Sequence, residues 1–110
     1  MGAEAFNTKQ EQQIMSLIIS SGQARSNAQE ALMEAKKGNF DLAKEKMKCA
    51  DQSILDAHKV QTSLLSMEAK GELVQMNILM VHAQDHLMTG MLAIDMIKEL
   101  IEIYESKEEK

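Results

Sequence analysis

Two of the chain's three histidines fall within five residues, in the run Val81-His82-Ala83-Gln84-Asp85-His86-Leu87-Met88. On a helix, positions i, i+3 and i+4 share a face, so His82, Asp85 and His86 converge. Three chemistries could use such a group. Histidines one turn apart could hold zinc at the inverted zincin spacing, but that spacing carries Glu where Asp85 stands, and no third ligand is evident. A neutral imidazole is a competent nucleophile near pH 7 and could accept a phosphoryl group, with a neighbour fixing its tautomer. The third possibility is structural, with both histidines satisfied by hydrogen bonds inside a bundle.

The elements that must position these residues are three long amphipathic segments in a single domain. Thr8 followed by Glu11 forms a capping box, and Ile14, Leu17, Ile18, Ser21, Ala24, Ala28, Ala31, Leu32 and Ala35 follow at spacings of three and four, which predicts helix one over about 8–37. Gly38 can take the left-handed conformation that closes a helix, and Asn39 can cap the next one. Helix two is predicted over about 40–69. Its inner face is Ala43, Met47, Ala50, Ile54, Ala57, His58, Gln61, Leu64 and Leu65, Lys44, Lys46, Lys48 and Asp51 turn outward, and Gly71 is the stop.

The third segment, predicted over about 73–106, carries two apolar seams. One is Met76, Met80, Ala83, Leu87, Ile94, Ile97 and Ile101, and the other is Val74, Ile78, Val81, Asp85, Met88, Leu92, Met96 and Ile103. Within a three-helix monomer one stripe faces both neighbours, so a second stripe implies another surface to bury. The spacing of Ile78, Val81, Asp85, Met88 and Leu92 is that of a coiled-coil seam, which predicts a parallel homo-oligomer with helix three innermost. A carboxylate in that seam would suffer desolvation and repulsion from its own symmetry mates. A divalent cation on the axis, held by Asp85 oxygens and waters, would relieve both, and oxygen-only ligation favours magnesium. The alternative is that Asp85 lies slightly off the seam and is hydrated.

Composition narrows the function classes. At 110 residues and 12.3 kDa the chain is one domain's worth of polypeptide. Hydrophobic residues at 45% and charged residues at 26% give a globular and not a disordered composition. No Pro or Trp, one Tyr, two Phe and 10 Met leave a core of slender aliphatic side chains suited to helix packing. The formal charge of -5 argues against a nucleic-acid partner. The single Cys49 forms no intrachain disulfide and fits a reducing, cytoplasmic compartment. No run approaches a membrane span or a signal peptide, and Phe6 stands where a myristoylation signal beginning at Gly2 needs Ser or Thr.

Other positions carry bland expectations. Cys49 is read as a small packed side chain, His58 as a core histidine, and Met76 and Met80 as core. The remaining methionines of helix three could form an adaptable docking surface, and Glu105 to Lys110 a solvated end. Gly22 and Gly90 interrupt helices, either for close helix approach, for room near His82, or through simple tolerance.

Three blocks together carry a family resemblance: Ile14 to Ser26 (Ile-Met-Ser-Leu-Ile-Ile-Ser-Ser-Gly-Gln-Ala-Arg-Ser), the Ala-Lys-Lys-Gly-Asn-Phe turn at 35–40, and, most specific, Val-His-Ala-Gln-Asp-His-Leu-Met-Thr at 81–89. Over nearly its whole length the chain resembles the lactose/cellobiose-family IIA component of the bacterial phosphoenolpyruvate-dependent sugar phosphotransferase system. The resemblance implies an all-α, up-down-up three-helix bundle that forms a parallel homotrimer, a nine-helix assembly with helix three innermost. It implies that His82 is phosphorylated by the phosphocarrier HPr and passes the group to a cysteine of the IIB component, while the membrane-bound IIC component brings in the sugar. It implies that Asp85 is the axial metal ligand. A histidine embedded in a helix running from 73 lies far from the helix N-terminus, and no glycine-rich anion loop is present, so side chains must stabilise the phosphoryl group. His86 is the expected donor, ahead of Gln84. The rival expectation is a helical scaffolding module, to which 35–50 is similar in its turn, although no second copy at a period near 34 exists and His82 and Asp85 would have no task.

Overall fold

The computed structural model describes residues 8–108. Gly2, Phe6, the Thr8 side chain of the expected capping box, and Glu109 and Lys110 lie outside the described residues. Three α-helices follow one another, α1 over Thr8–Lys36, α2 over Phe40–Ala69 and α3 over Ile78–Glu108, and the described residues contain no strand.

Glycine closes the first two helices in the same way. Among the described residues Gly38 (φ +86°) and Gly71 (φ +83°) are those with positive φ, a conformation that costs other L-residues about 1–2 kcal/mol. The Asn39 N–H reaches the Glu34 carbonyl at 2.9 Å and Gly38 N–H that of Ala35 at 3.0 Å, and the pairs Glu72 to Met67 and Gly71 to Glu68 repeat the pattern at 3.0 Å each. These paired bonds satisfy carbonyls that would otherwise be orphaned at a helix end. Asn39 occupies the N-cap of α2 through its backbone, but its side chain makes no capping bond and instead donates to Glu34 Oε1 at 3.0 Å.

α3 begins at Ile78, five residues later than the apolar pattern predicts. Asn77 sets the start: its side-chain Oδ1 accepts from the Met80 N–H at 2.8 Å and its carbonyl from the Val81 N–H at 3.0 Å. Val74 continues the seam in spacing, but this local cap outcompetes the pattern because Asn offers the backbone a side-chain partner just where helical partners are missing. The connector is held against α1, where the Gln10 side chain donates to the Leu73 carbonyl at 2.9 Å. Asn77→Ala should lower unfolding stability by about 1 kcal/mol, read as a shifted urea midpoint with unchanged slope. At its other end α3 extends to Glu108 and not to Ser106, and Glu105 pairs with Lys44 at 3.0 Å, so the expected solvated end is partly structured.

Small side chains let the helices approach closely. Ala24, Ala28, Ala31 and Ala35 of α1 meet Ala43, Met47 and Ala50 of α2 and Ile94, Ile97 and Ile101 of α3 in one buried cluster. Ile14, Leu17, Ala57, Leu64, Met80, Ala83 and Leu87 form a second. The first seam of α3 is therefore the core, apart from Met76, which is 64% exposed because it precedes the helix. On α2 the inner face is narrower than expected: His58, Leu65 and Cys49 are all exposed, at the edges of the stripe where the two neighbouring helices do not reach. The second seam of α3 lies on the surface, with Ile78 88%, Leu92 62% and Val81 48% exposed.

Candidate functional site

His82 and His86 stand one turn apart on α3 and their rings meet edge to face, with centroids 4.4 Å apart and planes at 81°. The Nε2 atoms are 3.0 Å apart, a hydrogen-bond distance that requires one ring to donate and the other to accept. His86 Nδ1 is buried and has no partner among the described residues. Were His82 the donor, neutral His86 would carry its proton on that buried Nδ1, leaving an orphaned N–H, the rarer defect in folded proteins. The assignment that avoids it makes His86 Nε2–H the donor and His82 Nε2 the acceptor. His82, on the exposed side of the pair, thus presents a lone pair at Nε2.

The electrostatics agree. Burial lowers the His86 pKa below its ordinary value, the charges of His82 and Arg25 push the same way, and Asp85 opposes them. A neutral His86 keeps one Nε2–H to donate to the His82 Nε2 lone pair. Because the folded chain disfavours charged His86 while the unfolded chain protonates it at about pH 6.5, the unfolded state binds more protons just below that pH. Stability therefore falls as pH drops through about 6.5 and is fully present above it. Urea midpoints at pH 7.5 and 5.5 should separate more for the native chain than for His86→Gln; equal separations would contradict the assigned burial of this ring.

The shorter α3 alters one expectation. With the helix starting at Ile78, His82 lies just past the first turn and not deep in the helix. Helical side chains lean toward the N-terminus, so the positive end of the macrodipole bears on His82 more than a start at 73 allowed, although this field fades within a turn. Gln84 is occupied elsewhere, accepting from Gln61 Nε2 at 2.6 Å.

Asp85 is not drawn into the histidine pair. Its carboxylate has no hydrogen bond or ion pair among the described residues, and it is exposed within the second seam of α3 between Val81 and Met88. No group of three or more His, Cys, Asp or Glu among the described residues could hold a metal. A single chain thus offers one carboxylate, which fits a cation only where several copies bring theirs together, and the intrachain zinc possibility for His82 and His86 finds no third ligand.

Two residues without an assigned role in the sequence join the site. Arg25 of α1 donates through Nη2 to Thr89 Oγ1 at 2.5 Å, and the Thr89 hydroxyl donates in turn to the Asp85 carbonyl at 2.7 Å. The available signal was that Arg25 is the sole Lys or Arg in α1 between Lys9 and Lys36. The two helical glycines differ. A Cβ at Gly90 would stand 3.3 Å from Ile54 Cδ1 and 3.6 Å from the Ser21 carbonyl oxygen, so close packing accounts for it. A Cβ at Gly22 would meet nothing within 4 Å. Nothing inside the chain requires that glycine, which costs a helix about 1 kcal/mol against Ala.

The fold and the site together define a class, an all-α three-helix protein presenting a hydrogen-bonded histidine pair on an exposed helix face. The family model described as "PTS system, Lactose/Cellobiose specific IIA subunit" matches residues 12–105, and the chain belongs to that family. It is 45% identical over 100 residues to the lichenan-specific phosphotransferase enzyme IIA component of Bacillus subtilis (strain 168), covering 91% of each chain. To the N,N'-diacetylchitobiose-specific EIIA component of Escherichia coli (strain K12) it is 48% identical over 95 residues, covering 86% of this chain and 82% of that one. Among solved structures, the PTS cellobiose-specific enzyme IIA from Bacillus anthracis superposes with a TM-score of 0.91 at 42% identity, covering 94% of this chain and 95% of that one. A IIA(Chitobiose)-HPr complex of the N,N'-diacetylchitobiose system gives a TM-score of 0.81 at 43% identity, covering 93% and 99%. The chain is a IIA component of a lactose/cellobiose-type phosphotransferase system and so a phosphotransfer protein. No helix among its described residues is long and apolar enough to cross a membrane.

Proposed function

We propose that this chain is a cytoplasmic phosphohistidine carrier of sugar uptake, taking a phosphoryl group from HPr on His82 and giving it to a cysteine of a IIB component that serves a membrane-bound IIC. The Nε2 contact between His82 and His86 carries this reading. In acceptance, the P–N bond of the donor phosphohistidine breaks and its electron pair stays on the donor nitrogen, while the His82 Nε2 lone pair forms the new P–N bond. The proton on His82 Nδ1 stays in place. His86 Nε2–H, relieved of His82 Nε2, turns to a phosphoryl oxygen. In release, the P–N bond breaks and the IIB thiolate forms a P–S bond. Neither step needs a proton relay, and positioning supplies most of the acceleration. A related IIA solved in complex with HPr supports the donor.

The subunit is read as up-down-up, assembling as a parallel homotrimer through the second seam of α3, whose apolar residues stand exposed in the single chain. In that nine-helix assembly three Asp85 carboxylates would hold a divalent cation, magnesium by their oxygen-only chemistry, and the cation would cancel their mutual repulsion. Asp85→Leu should abolish metal binding measured by calorimetry while the far-ultraviolet helical signal persists; undiminished metal binding would remove Asp85 as the ligand.

The carrier reading is tested by incubating the chain with phosphoenolpyruvate, enzyme I and HPr and weighing it. One acid-labile phosphoryl group per chain is expected, discharged on adding the cognate IIB. A chain that gains no mass is a scaffold and not a carrier.

A further inference from the structure

Fixed positive charge is scarce on α3 around the histidine pair and on α1. From Ile78 to Ile97 α3 has no Lys or Arg, and α1 offers Arg25 alone between Lys9 and Lys36. A phosphoryl group brings about two negative charges and three strong acceptor oxygens, more than the one His86 N–H can satisfy.

Arg25 is placed to supply the rest. Its guanidinium bonds the Thr89 hydroxyl at 2.5 Å, and that hydroxyl is turned by its own bond to the Asp85 carbonyl so that its oxygen faces the arginine. Arg25 pairs with no carboxylate among the described residues. One of its five N–H donors is used and the others have no protein partner among those residues. His82, His86 and Thr89 stand at i, i+4 and i+7, along one stripe of α3, with the cation latched at one end and the His82 ring at the other. Gly22 precedes Arg25 by three residues on the same face of α1. The Ser21 carbonyl oxygen, 3.6 Å from a Cβ position on Gly90, sets that turn of α1 against the turn of α3 following His86. A Cβ at Gly22, the next residue, would meet nothing within 4 Å, so space is open at that level of α1.

We infer, building on the carrier reading, that Arg25 is the residue that binds and neutralises the phosphoryl group on His82, reaching it from its Thr89 latch across the gap that Gly22 leaves. As the P–N bond forms from His82 Nε2 and the donor's P–N bond breaks, Arg25 keeps all its protons and gives N–H bonds to the equatorial oxygens. Arginine suits the task, since its planar fork engages two phosphoryl oxygens at once.

The test compares the native chain with Arg25→Gln, Arg25→Lys and Gly22→Leu, using two phosphoryl donors: HPr charged by phosphoenolpyruvate and enzyme I, and the small molecule phosphoramidate. The readout is the rate at which the His82 adduct appears by mass, alongside helical signal and melting. Arg25→Gln should slow the adduct by about a hundredfold with both donors, the scale on which a single transition-state donor acts, with melting little changed. Arg25→Lys should recover about a tenth of the native rate, and Gly22→Leu should also be slow. Slowing with HPr alone would make Arg25 a partner contact and overturn the inference, as would native rates with both donors. Native rates in Gly22→Leu would remove the gap from the site. A native chain that takes no phosphoryl group from either donor would defeat the carrier reading itself.

Discussion

His82→Gln should accept no phosphoryl group at all. Glutamine keeps a polar side chain of related length but has no basic nitrogen, so the nucleophile is lost while the α3 backbone is untouched. Because His82 is exposed, folding should survive, and the variant should melt close to the native chain. His86→Gln should behave differently. It keeps the His82 nucleophile and replaces the Nε2–H donor by an amide N–H, so the adduct should still form, more slowly by about 10²-fold if the donor acts mainly in the transition state. Complete loss for one histidine and partial loss for the other would identify His82 as the acceptor. Should His86→Gln be dead and His82→Gln active, the tautomer assignment across the 3.0 Å contact is reversed.

Leu92→Glu should convert the proposed trimer to monomers. Light scattering should fall from three times 12.3 kDa to 12.3 kDa. In the single chain Leu92 is 62% exposed, so the change costs the subunit fold little. In a trimer with α3 innermost, each copy would lose a buried leucine, about 1.5–3 kcal/mol, and would also bring in an unpaired carboxylate costing several kcal/mol more. No interface built on a few such residues per chain withstands that. Retained helical signal with a monomer mass supports assembly through this seam, whereas a trimer undisturbed by the glutamate would place the interface elsewhere.

Much of this architecture was legible in the chain because helix signals are local. The spacing of Ile14, Leu17, Ser21 and Ala24, or of Ala43, Met47 and Ala50, repeats with the turn of the helix, and those residues are buried. Gly38 and Gly71 were readable as stops because few other residues tolerate their positive φ. What misled was pattern without competition. Val74 and Met76 extend the seams of α3 in spacing, yet Asn77 captures two N–H groups and starts the helix after them. The same late start brings His82 nearer the helix end than the pattern implied. His58, Leu65 and Cys49 fell outside because the width of a buried stripe depends on how far neighbouring helices wrap around it, which periodicity does not measure.

The chemistry divides along the same line. His82, Asp85 and His86 sit within five residues, and their likeness to a family block needed no coordinates. The two seams of α3 were likewise readable as two apolar faces, of which the single chain leaves the second exposed. Three-dimensional packing decided which seam the subunit buries, which imidazole donates, and that Arg25 arrives at Thr89 from 64 residues away. Helical repeat encodes the faces of each rod, but the register at which rods lock together emerges from alanine, glycine and isoleucine surfaces fitting against one another. Only that fit sets a cation beside the paired rings.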